Sequence, residues 1–165
     1  MRSIAIFLLS ALGLPLLGCR GDLRDEKALM ALDEPYFRCR VQPVLTKSCG
    51  AFACHGDGRR YFRLFGRNRL RSAGSEEERN AFMRAEERSF NFDSARAMVD
   101  AEYPDKSLLL LKPLDSKSGG YYHGALGFGT SNVFINKDDP DYKTLEAWVG
   151  GAKEDPACIE PGSDL

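Results

Sequence analysis

Hydrophobic and polar positions divide this chain into an apolar head, a charged connector and a long body in which short apolar groups recur at helical spacing. The head covers residues 4–17, is interrupted only by Ser10, Gly13 and Pro15, and follows Arg2. A positive start leading into an apolar stretch too short for a comfortable membrane span is the layout of an export signal. Residues 21–34 are charged apart from an apolar cluster at 28–32, and Pro35 closes the stretch, which reads as a tether. In the body, Phe37, Val41, Val44 and Leu45 are three or four residues apart and predict a helix over 35–47 that Pro43 kinks or shortens. Residues 75–88 predict a polar helix with Ser75 as its cap and Glu76, Glu77 and Glu78 at its positive end. A short helix is expected over 94–101, ending before Pro104. The apolar run 108–111 has no assignable period, and a helical turn is the preferred reading. Asp139 and Pro140 form a cap and first turn for a last helix whose buried face is Tyr142, Leu145, Trp148 and Val149, stopped by Gly150 and Gly151. The expected fold class is mainly α, one small helical domain with long loops.

Composition adds limits to that picture. The chain has 165 residues with 23 basic and 24 acidic side chains, and residues 1–18 contain only one of them, Arg2. The mature chain is therefore close to neutral, and net charge implies neither nucleic acid nor an anionic surface as partner. The body is long enough for one compact domain but not for two, and no repeat or low-complexity block interrupts it. Leu16-Leu17-Gly18-Cys19 looks like a bacterial lipobox, in which a small residue precedes the cysteine that is diacylated and becomes the mature N-terminus. Two or more acyl chains give stable anchoring. The expected organisation is a signal peptide over 1–18, a tether over 19–35, a domain over 36–158 and a tail over 159–165. The protein would sit in the cell envelope, held to a lipid membrane through Cys19 and facing the periplasm or the surface.

The chemistry concentrates in Cys49-Gly-Ala-Phe-Ala-Cys54-His55. A c-type haem needs two thiols for thioethers to its vinyl groups and a histidine beside the second thiol to bind the iron, and this heptapeptide supplies all three. Four residues separate the cysteines where two are usual, so the loop must bulge outward by two. With Cys19 lipidated and Cys49 and Cys54 on haem, Cys39 and Cys158 remain. An exported chain favours their pairing, which would staple the two ends of the domain. The alternatives are that both stay reduced and buried, or that Cys49 pairs with Cys54 and haem attachment is abolished. A zinc ion held by Cys49, Cys54, His55 and either Cys39 or His123 is a further arrangement, although thiolate sites suit reducing compartments better. Residues 59–71 interleave arginines with aromatics. In a cytosolic chain that would suggest nucleic acid. In an exported one the rings are expected to pack near the haem and the arginines to face water or propionates, with docking of an acidic redox partner as a further use. Residues 119–129 form a glycine-rich loop with His123 at its middle. No Ser-x-x-Lys or His-Glu-x-x-His pattern occurs, and two histidines leave little room for acid–base chemistry, so an electron carrier is expected rather than an enzyme.

In their order along the chain, residues 41–45, the Cys49 to His55 motif, Pro104-x-x-Ser107-Leu108-Leu109 and Leu145-x-x-Trp148-Val149-x-Gly151-Ala152 resemble the cytochrome c-like domains of exported bacterial proteins, of the planctomycete-type group. The resemblance covers nearly all of 36–152. It implies a cytochrome c-like fold in which the first and last helices cross near one covalent haem c, with Cys49 and Cys54 as thioether cysteines and His55 as proximal iron ligand. It also makes His123 the first candidate for the sixth ligand, ahead of Met98 and Met83, because a histidine-glycine segment before the last helix is seen in relatives. The implied function is single-electron transfer between redox proteins of the envelope. The alternative is a haem-free lipoprotein that keeps the fold as a binding or structural module.

Overall fold

Helix α1 occupies residues 34–48 and changes its hydrogen-bond ladder on the way. Glu34–Tyr36 and Gln42–Ser48 are α-helical, and Phe37–Val41 between them is a π-helical turn in which the Gln42 N–H donates to the Phe37 carbonyl. Pro43 explains the change, because it has no N–H for the carbonyl four residues back and its ring crowds that carbonyl. The sequence expectation of a kink at this proline is met by a widened turn just ahead of it. Asp33 caps α1, its side chain accepting from the Tyr36 N–H at 2.7 Å.

This computed structural model describes residues 31–72, 74, 76–124 and 133–159. The export signal 1–18, the lipobox Cys19, most of the 19–35 tether, Ser75, residues 125–132 and the tail beyond 159 lie outside the described residues. The remaining helices are α2 (Glu76–Arg79), α3 (Ala85–Arg96), α4 (Leu108–Leu111) and α5 (Pro140–Val149), with 3-10 turns at Pro104–Lys106 and Ser116–Ser118. Among the described residues the only β-type pairings are isolated bridges, Phe65 with Leu70 and Leu114 with Phe134. The architecture is mainly helical with long connections. No helix among the described residues is long and apolar enough to cross a membrane.

α1, α3 and α5 meet on an aromatic triangle. The Phe37 ring lies 5.4 Å from Phe92 and 5.1 Å from Trp148, and Phe92 lies 6.0 Å from Trp148. Edge and tilted contacts of this kind suit the ring quadrupoles. Val41, Leu45, Leu145 and Val149 continue the core along α1 and α5, and Leu109 and Leu110 of α4 close its far end. α5 forms where the sequence places it, with the Asp139 carboxylate accepting from the Asp141 and Tyr142 N–H groups. Leu32 belongs to the same core, and the Asp33 carbonyl accepts from Trp148 Nε1 at 2.8 Å. Packing therefore begins a few residues before 36. Cys39 and Cys158 stand at disulfide distance, their sulfurs 1.96 Å apart, and join α1 to the C-terminal segment.

The middle of the chain departs from the expected helices. The polar helix expected over 75–88 is broken in the middle: Glu76–Arg79 form α2, and residues 85–88 belong to the first turn of α3. The Arg71 guanidinium takes the carbonyls of Glu78, Arg79, Ala81 and Phe82, which a continuing helix would have used internally. The short helix expected over 94–101 is the tail of the longer α3, which starts at Ala85 and stops at Arg96. Arg71 itself is buried against Glu87 rather than facing water, and Arg63 and Arg67 lie over the rings of Phe90 and Phe82.

Candidate cofactor site

The heptapeptide folds back on the end of α1. Cys49 and Gly50 both donate from their N–H groups to the Leu45 carbonyl, and the extra residues close into a turn in which Cys54 and Gly56 donate to the Ala51 carbonyl. The His55 N–H then donates to the Cys49 carbonyl at 3.0 Å, drawing histidine and first cysteine together. Only glycine fits at position 56, where a Cβ would sit 2.3 Å from the Gly50 carbonyl oxygen. The two-residue bulge demanded by the spacing is thus a closed, hydrogen-bonded loop.

His55 is held by its ring as well. Its Nδ1 lies 2.6 Å from the Phe62 carbonyl oxygen, and the Phe62 ring packs edge-on against it at 4.7 Å. A carbonyl only accepts, so Nδ1 carries the proton and Nε2 keeps a free lone pair. This is the orientation a metal-binding imidazole needs. Leu64 N–H to His55 carbonyl, 2.7 Å, fixes the same loop from its other side.

His123 reaches the site from the opposite wall. The segment before it is tied to the end of α4 by the Tyr121 N–H, which donates to the Leu111 carbonyl at 2.7 Å, and by Lys112 Nζ, which donates to the Tyr122 carbonyl at 3.2 Å. Gly120 passes so close to Leu114 that a Cβ there would meet its carbonyl oxygen at 1.9 Å. The two imidazoles face each other with ring centroids 5.9 Å apart and planes 26° from parallel. His123 Nδ1 is buried and finds no hydrogen-bond partner among the described residues.

Both histidines line a cavity of about 250 Å³, just below the usual size of ligand clefts, whose other walls are Leu45, Cys49, Phe62, Met98, Leu108, Leu109, Lys112, Pro113 and Leu145. Burial holds both imidazoles below the ordinary histidine range; Phe62 partly opposes this at His55, Arg60 adds to it, and His55 and Lys112 add to it at His123. Both are therefore neutral at neutral pH. Burial, then Cys54 and Asp141, pushes the Cys49 thiol up to about 12. Cys49 and Cys54 are unpaired with each other, and Cys54 is not part of the cavity wall. Facing imidazoles, a fixed tautomer, apolar walls and a buried thiol fit a haem held between two histidines.

The structure brings together His55, His123 and Cys49, with Cys54 one residue from His55. Although these three share one cavity wall, among the described residues no three or more His, Cys, Asp or Glu side chains stand close enough together to hold a metal ion, and Cys39 is joined to Cys158, which removes it from the expected zinc set. Of the two methionines, Met98 lines the cavity, while Met83 accepts a long contact from Gln42 Nε2 elsewhere. Sequence reasoning did not single out Lys112 or the Phe62 carbonyl; a backbone acceptor carries no residue-type signal. No protein-family model, curated protein or solved structure matches this chain.

Proposed function

We propose that this chain is a lipid-anchored, monohaem c-type cytochrome-like protein that carries single electrons between redox partners of the cell envelope. The observation that carries the reading is the pair of facing imidazoles, 5.9 Å apart across an apolar cavity beside the Cys49 to His55 loop. When bound, haem supplies an iron that takes up and gives back one electron. Cys49 and Cys54 would hold the group through their sulfurs, and His55 and His123 would bind its iron. The Phe62 carbonyl keeps His55 in the tautomer that leaves Nε2 open. Leu45, Phe62, Leu109 and Leu145 offer the group apolar walls, and two histidine ligands would give a lower potential than a histidine–methionine pair. Acylation of Cys19 keeps the domain at a membrane, so that encounters with partners are confined to its surface.

One observation favours a second reading. Only Cys49 of the two cysteines opens onto the cavity, which suits a haem-free lipoprotein whose pocket takes another apolar ligand. The full chain expressed with a haem-attachment system separates the two. The cytochrome reading expects a haem-dependent peroxidase stain that survives denaturing electrophoresis, disappears in Cys54→Ser, and persists in His123→Ala with an altered absorption spectrum. A colourless product with the mass of polypeptide and lipid alone sinks it and leaves the haem-free module.

A further inference from the structure

We propose that Lys112 binds a carboxylate of the flat ligand held between His55 and His123, so that the site selects an apolar macrocycle with an ionised edge. The inference deepens the haem reading and rests on it. Among the described residues that line the cavity, Lys112 is the one side chain with a formal charge at neutral pH; its neighbours Leu108, Leu109, Met98 and Pro113 are apolar. Lys112 is exposed, which places the cation at the rim and leaves the interior for hydrocarbon. A ligand that is apolar across its body and acidic at one margin is the complement of that distribution.

The geometry also couples the acid group to the second histidine. Lys112 follows directly on α4 and donates to the Tyr122 carbonyl, one residue before His123, at 3.2 Å. An ammonium group has three donors, so it can donate to a carboxylate while still donating to the Tyr122 carbonyl. Lys112 is thereby the bridge between α4, the His123 segment and the acidic edge of the ligand.

The test uses the full chain produced without haem attachment, titrated with zinc protoporphyrin and with its dimethyl ester, which differ only in the acid groups. Wild type is expected to bind the acid about tenfold more tightly than the ester. Lys112→Met should erase that preference, Lys112→Gln should do the same, and Lys112→Arg should keep it; Lys106→Met, a rim-distant loss of the same charge, should also keep it. Circular dichroism identifies a variant that fails to fold, and the two neutral replacements guard against either doing so. Equal acid preference in wild type and both neutral variants overturns the inference while leaving the haem reading intact. Failure of wild type to bind either porphyrin overturns both.

Discussion

Glu87 is fully buried yet ionised, and the reason is the number of donors that converge on it. Arg71 donates from Nε and one terminal nitrogen at 2.9 to 3.2 Å, and the Ser72 and Arg84 N–H groups and the Ser72 hydroxyl complete the set. Burial alone would raise this carboxyl, but the donors prevail and bring it down to about 2. Its folded value lies below its unfolded one, so its stabilisation is complete above the ordinary glutamate range. It is lost as pH falls towards about 2, and amounts to roughly 3 kcal/mol. Urea unfolding between pH 5 and pH 2 should record that loss in wild type and not in Glu87→Gln, which starts less stable. His55 and His123 act in a different window. Burial lowers both, so in the haem-free protein the unfolded chain binds protons first, and stability should decline as pH drops below the usual histidine value. A decline that persists in the His55→Phe, His123→Phe double variant would falsify this assignment.

At the scale of elements, the loop from Cys49 to Gly56 carries the sharpest prediction. Gly56→Ala forces a methyl group towards the Gly50 carbonyl and should cost about 2 kcal/mol or more, read as a lower urea midpoint and weaker haem incorporation. The close approach of Gly56 to the start of the loop carries no signal in the sequence, because it depends on how the loop closes. α1 and α5 were legible because their inward positions are apolar at helical spacing, with Asp139 and Pro140 marking the start of α5, whereas the four leucines of α4 carry no period and were read as a helical turn only by preference. α3 was misread for a physical reason. Its buried stripe is Glu87, Asn91 and Ala95, four residues apart, two of them polar. Asn91 bonds Gln42 of α1 and both backbone groups of Phe65, so side-chain hydrogen bonds take the place that hydrocarbon normally holds. A reading based on apolar periodicity assigns such a face to solvent. The facing histidines were half legible: His55 by its place after Cys54, His123 only by its glycine-rich surroundings.

For the whole molecule, the two ends of the described chain meet at one place. The Cys39–Cys158 link closes a loop of 119 residues; Arg40 pairs with Glu154, and the Glu154 N–H donates to the Asp33 carboxylate that caps α1. In the chain-entropy account a loop of that size stabilises by about 5 kcal/mol, so the Cys39→Ala, Cys158→Ala double variant should unfold at markedly lower denaturant. The proposed haem stain should nonetheless be retained, because Cys49 follows the far end of α1, ten residues or about 15 Å along the helix from Cys39. The same closure decides how the domain bears tension. A pull between residues 31 and 159 passes through the sulfur bridge and never reaches the imidazoles. Stretched in an optical trap, the oxidised domain should yield almost no length. Adding a reductant should release the enclosed segment, a sequence separation of 119 and about 400 Å of contour, in a single step.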